Sequence, residues 1–176
     1  MRLLSGKVVA LAHNLVETLV SSSTIEVSPE EVAEVQIDLE SVLREYIRTE
    51  REITDKARDV IATQKRDYTD LNKVKAQIAR ERNFGIGEGM LEYLIAQLIE
   101  ALIHSRHVEE VFGMDNELAA QMTPVLRKHL AADEELDQDV RRRIKNLQEG
   151  TVSWDVQYRK VMDELKRTKK LDEPPS

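Results

Sequence analysis

Apolar residues recur three and four positions apart along almost the whole chain, the spacing of one face of an α-helix. Val8, Leu11, Ala12, Leu15 and Leu19 trace such a face for a first helix. Ser28, Pro29, Glu30 and Glu31 supply an N-cap, a proline at the first helical position and a capping-box glutamate, which predicts a second helix running to about Arg48. A third helix is expected after Thr54 and a fourth near Thr69, with the polar run QKRD at 64–67 as the connection. No four-residue stretch alternates in the manner of a strand, so the first half reads as four helices.

Sliding the chain against itself by 83 residues repeats this pattern. LVETLV at 15–20 falls on LIEALI at 98–103, and Val42, Leu43 and Arg44 fall on Val125, Leu126 and Arg127. Glu52 falls on Glu135, Arg58 on Arg141 and Ile61 on Ile144; residues 2–64 give fourteen identities in sixty-three pairs. After a few residues of slippage, Leu71, Val74 and Ile78 correspond to Tyr158, Val161 and Leu165. The expectation is an all-α protein of two tandem homologous four-helix units, 1–82 and 83–170, followed by a disordered tail at 171–176. A unit of that size has a thin core, so the copies should pack together as a compact quasi-two-fold bundle.

The glycine-rich stretch NFGIGEGML at 83–91 takes its meaning from this register. No strand precedes it, and its spacing fits no nucleotide fingerprint. Gly89 instead falls on Gly6, which makes Gly85, Gly87 and Gly89 a structural seam, with Asn83 and Gly85 ending the last helix of the first copy.

Composition narrows the class further. The formal charge of −7 repels polyanions, so a nucleic acid would need a local basic patch. The absence of cysteine removes disulfides and thiol catalysis. The first twenty residues are interrupted by Lys7, His13, Asn14 and Glu17, which fits neither a signal peptide nor a membrane span, and a cytoplasmic protein is expected.

The opening MRL, the phrase REITDKARDVI with its second-copy counterpart DEELDQDVRRRIKNL, and the ending SWDVQYRKVMDELKR resemble the bacterial domain-of-unknown-function family numbered 507, in its longer duplicated form. The resemblance implies an all-helical cytoplasmic bacterial protein. It brings no activity, cofactor or catalytic residue.

Candidate chemistry is sparse. His104 and His107 with Glu109 and Glu110 have the residue types of a metal site, but the first copy has Ser21 and Thr24 at the matching positions, and no metal or cofactor is assigned. The acidic groups Glu30/Glu31, Glu50/Glu52 and Asp133/Glu134/Glu135 read as helix-start charges. Trp154 and Tyr158, four apart, read as core. No hydrolase, metalloprotease or nucleotide motif occurs, so neither enzymatic activity nor catalytic residues are assigned.

Arg44/Arg127, Glu52/Glu135 and Arg58/Arg141 persist in both copies. They suit an ion pair bracing the junction of the second and third helices, the favoured reading, or a partner surface used once per copy. Arg141, Arg142, Arg143 and Lys145 form a basic stretch on the predicted third helix of the second copy. The reading is a monomeric, non-enzymatic interaction protein that binds another protein through its helical surface, with Arg44, Arg58, Arg127, Arg141, Arg142, Arg143 and Lys145 as candidate contacts. The alternative is a nucleic-acid- or ribosome-associated factor using the basic helix at 141–145.

Overall fold

The computed structural model describes residues 2–169; the expected tail at 171–176 lies outside them. Helix α1 (Val8–Ser21) follows a 3-10 turn at Ser5–Lys7 and buries Val8, Leu11, Ala12, Leu15, Val16 and Leu19. It stops where Ser23 turns left-handed at φ 56° and the Thr24 amide returns to the Leu19 carbonyl at 3.2 Å. A two-residue strand β1 (Ile25–Glu26) leads to a turn in which the Glu31 amide donates to the Ser28 carbonyl. Helix α2 (Val32–Thr63) begins with Glu31 as N-cap, so the expected start at Ser28 lies in that turn instead.

Helix α2 is 32 residues long, about 48 Å at the ordinary helical rise. The expected break between 48 and 54 does not exist, and the first half has three helices rather than four. The reason lies in residues that read as a break because all but one are polar. Ile53 continues the buried stripe of Val35, Leu39, Leu43 and Tyr46, while Arg48 pairs with Glu45 at 2.5 Å and Glu52 at 3.5 Å on the outer face. No glycine or proline interrupts the run. The helix stops at Lys65, left-handed at φ 51°, and Asp67 then caps the Thr69 amide ahead of α3 (Leu71–Glu81).

Asn83 ends α3 at φ 52°, with the Phe84 amide returning to the Ala79 carbonyl at 2.8 Å. The glycines at 85, 87 and 89 divide their roles. Gly87 has a left-handed φ of 59°. A Cβ on Gly85 would come within 2.4 Å of the Gly89 carbonyl oxygen and 2.5 Å of the Tyr93 Cβ, whereas one on Gly89 would meet nothing. The Gly85 carbonyl also accepts the Tyr46 hydroxyl at 2.9 Å, and Phe84 stacks on Tyr46 and meets Tyr93 edge-on.

The order then recurs: a 3-10 turn at Gly87–Gly89, α4 (Met90–His104), β2 (Glu110–Val111), the long α5 (Asp115–Arg143) and α6 (Val152–Thr168). Helix α5 runs unbroken through Asp133, Glu134 and Glu135, which are therefore mid-helix residues and not the expected helix start. Thr151 caps α6 by accepting the Trp154 amide at 3.2 Å. The buried residues Leu118, Met122, Leu126, Leu136, Val140 and Ile144 stand 83 positions after the buried Val35, Leu39, Leu43, Ile53, Ala57 and Ile61.

Helix α1 packs on α2 and α5, and α4 packs on α5 and α2; α3 covers α2, and α6 covers α5. The strands join the two halves antiparallel, Ile25 opposite Val111 and Glu26 opposite Glu110. One apolar cluster draws on both halves, from Leu3 to Leu130. A second combines Leu4 with Leu136, Val140 and Ile144 of α5 and with Trp154, Tyr158, Met162 and Leu165 of α6, so the start of the chain completes the core near its end.

Candidate functional site

The candidate arginines fall in different environments. Arg44 is exposed and lies 3.4 Å from Glu40 one turn back, and Arg127 is exposed on α5 with no ion pair among the described residues. The favoured brace cannot form as expected, because α2 has no junction to brace. Glu52 instead pairs with Arg48 at 3.5 Å and Arg82 at 3.8 Å. Arg58 and Arg141 are brought together by the first turn of α6. Both Arg58 Nη atoms lie 3.0 Å from the Asp155 carboxylate, a two-pronged contact between helices, while the Arg141 guanidinium sits 5.2 Å from the Trp154 ring centre.

The expected basic helix at 141–145 is divided. Arg141 turns inward to Asp137 at 2.7 Å and Glu149 at 2.8 Å. Arg142 pairs with Asp139, which also accepts Lys169 at 2.9 Å. Helix α5 ends at Arg143, leaving Lys145 past it; these two are exposed and make no ion pair among the described residues.

Sequence reasoning missed the two buried carboxylates of α5. Asp133 has 0 % of its surface exposed and Asp137 5 %. They hold the start of the chain: the Leu4 amide donates to Asp133 at 2.9 Å, Lys7 Nζ lies 3.3 Å from Asp133, and Arg2 reaches Asp137 at 2.9 Å. Tyr158 donates its hydroxyl to Asp137. Burial pushes Asp133 above the usual carboxylate range, against the Leu4 amide and Lys7, which pull it down. Burial acts the same way on Asp137, but the bonds from Tyr158 and Arg141 and the charges of Arg2 and Arg141 outweigh it and hold Asp137 low. The two are one turn apart on the face that carries Leu136 and Val140, and that interruption of an apolar stripe was the available signal.

His129, which stands 83 positions after Tyr46, has its proton affinity lowered by burial and lies 3.0 Å from the Asn14 amide nitrogen. It lines an open groove of about 690 Å³ between α1 and α5 with Asn14, Thr18 and Lys128. The corresponding groove between α2 and α4, about 380 Å³, is walled by Tyr46, Phe84 and Tyr93. His104 bonds the Glu100 carbonyl at 2.9 Å and His107 contacts Glu31, so the two rings engage different elements. No group of three or more ligating side chains is set for a metal among the described residues.

Seven large apolar side chains stand exposed among the described residues, and four of them lie at the end of the bundle that carries the strand pair. Phe112 is 57 % exposed and Met114 74 %, on either side of Gly113; Ile103 is in the last turn of α4 and Ile37 in the second turn of α2. The Phe112 and Gly113 amides both donate to the Thr24 carbonyl, which fixes this segment against the first half of the chain. The Glu117 side chain accepts the Met114 amide at 2.7 Å and starts α5.

No described helix is long and apolar enough to cross a membrane. None of the curated proteins matches the chain. A family model described as "Protein of unknown function (DUF507)" matches residues 1–171, and the resemblance carried by the opening, the paired REITDKARDVI and DEELDQDVRRRIKNL segments and the SWDVQYRKVMDELKR ending is thereby established: the chain belongs to the DUF507 family.

Proposed function

We propose that the protein is a non-enzymatic interaction protein of the bacterial cytoplasm, which docks another protein through its helical surface. The observation that carries this reading is the concentration of exposed apolar side chains, Phe112 and Met114 above all, at the strand-pair end. The shifted carboxylates Asp133 and Asp137 support it indirectly, because both are engaged in holding residues 2–7 in place. We also take the halves to be tandem copies and the chain to be its own pseudo-dimer, hence a monomer. The shared burial register and the reciprocal packing of α1 on α5 and α4 on α2 support that view.

Arg44 and Arg127, exposed at equivalent positions, remain candidate contacts in this reading, as do Arg143 and Lys145; Arg58, Arg141 and Arg142 are already committed to internal partners. The nucleic-acid reading ranks second, since its basic segment keeps only Arg143 and Lys145 without an ion pair among the described residues.

The test is affinity purification from the native host at low and moderate salt, with wild type compared against a Phe112→Ser/Met114→Ser variant. A protein retained by wild type at both salts and lost from the variant is the expected outcome. Retention of nucleic acid that vanishes at moderate salt and on Arg143→Glu/Lys145→Glu substitution would favour the second reading. Enrichment of nothing beyond the chain itself would overturn both.

A further inference from the structure

The strand-pair end is predominantly acidic, with Arg106 in the loop before β2 as its one arginine or lysine within residues 25–34 and 105–117. Residues 25–34 and 108–117 hold eight carboxylates and no lysine or arginine. Glu31 contacts the His107 ring and Glu117 caps α5, while Glu26, Glu30, Glu34, Glu109, Glu110 and Asp115 make no ion pair among the described residues. Strand pairing sets Glu26 directly opposite Glu110, and the Glu109 amide donates to the Glu26 carbonyl at 2.9 Å, so three of these groups crowd one short ladder. Like charges facing each other across a ladder oppose its formation. The cation nearest to Glu109 and Glu110 in sequence, Arg106, makes no ion pair with them among the described residues.

Phe112 and Met114 stand in water on the continuation of the same strand. Exposed apolar side chains next to carboxylates that make no ion pair complement a segment that is apolar on one side and cationic on the other. We propose that this end docks a basic amphipathic segment of a partner protein, whose apolar side chains cover Phe112 and Met114 and whose lysines or arginines meet Glu26, Glu109 and Glu110. The inference rests on the interaction reading above and adds the chemistry of the partner.

Other occupants fit less well. A polyanion is repelled here. The far end of a second copy offers Lys65, Arg143 and Lys145, but it mixes them with Asp67, Asp139 and Glu149 and so complements this surface weakly. A metal ion would need converging ligands, and none are grouped for one among the described residues.

The probe is a labelled helical peptide of leucine and lysine titrated with the full chain at near-physiological salt. Two controls accompany it, one with glutamate for lysine and one with serine for leucine. Binding of the first peptide is expected to fall with added salt and to weaken by about tenfold or more for either control, the loss typical of removing an interface anchor. The same loss is expected for the Phe112→Ser/Met114→Ser variant and for the triple variant Glu26→Gln, Glu109→Gln, Glu110→Gln. All these positions are exposed, so both variants are expected to fold, which circular dichroism and thermal melting check before binding is read. Peptide binding that neither variant changes would overturn the proposal. So would a concentration-dependent rise in solution mass that the triple variant abolishes, because the surface would then belong to a second copy. A native partner lost from the Phe112/Met114 variant but kept by the triple variant would sink this inference and leave the interaction reading standing.

Discussion

A side chain's neighbours decide what its chemistry can do, and Asp137 illustrates this most clearly. Its carboxylate takes charge-assisted bonds from Arg2 and Arg141 and the Tyr158 hydroxyl while almost wholly buried. Because these partners hold its folded proton affinity below the ordinary aspartate value, its contribution is present above that value, near pH 4, and is lost as pH falls through the lower, folded one. Asp137→Asn is therefore expected to lower stability by about 2–3 kcal/mol at pH 7, the cost of breaking a buried pair whose partners are partly in water. Denaturant unfolding should show the gap from wild type narrowing below about pH 4; a gap independent of pH would contradict the account. Glycine 85 is a steric case. Gly85→Ala drives a Cβ into the Gly89 carbonyl and should cost about 2 kcal/mol or more, while Gly89→Ala should stay within about 0.5 kcal/mol, as read by thermal unfolding.

At the scale of elements, the long helix α2 turns a polar stretch into a continuous rod. Arg51→Pro tests this, since Arg51 is exposed and contributes no core packing. In a helix interior, proline costs about 3 kcal/mol, whereas at a junction between helices it would be tolerated. A marked drop in thermal midpoint is expected, and an unchanged one would restore the break expected at 48–54.

The buried faces of α1 and α3 were legible in the sequence, as was the left-handed cap at Asn83, because apolar spacing and turn chemistry are local signals. The continuity of α2 and α5 was not, because polar residues with good helix propensity look alike whether they end a helix or coat its outer face. The network of Asp133 and Asp137 was hidden for a different reason: its partners Arg2, Leu4 and Lys7 come from the opposite end of the chain. The acidic apolar end was hidden likewise, since only the strand pairing brings residues 25–34 to 108–117.

For the whole molecule, the start of the chain acts as a clasp on the second half. Deleting residues 2–6 removes Arg2, Leu3 and Leu4 and leaves Asp133 and Asp137 buried with fewer partners. Trp154 is the chain's single tryptophan and sits in the cluster that Leu4 completes, so its fluorescence should shift to the red and its unfolding midpoint should fall. An unaltered emission spectrum would show that the α5 and α6 cluster closes without the clasp.

The contact between the Leu4 amide and Asp133 spans 129 residues, which gives the chain a timetable during its synthesis. At about 5–20 residues per second, the opening segment leaves the ribosome on the order of ten seconds before the carboxylate that receives it has been made. For that interval Leu4 has no α5 or α6 to lie against. The nascent first half waits, open along one face, for the second half to arrive and close it.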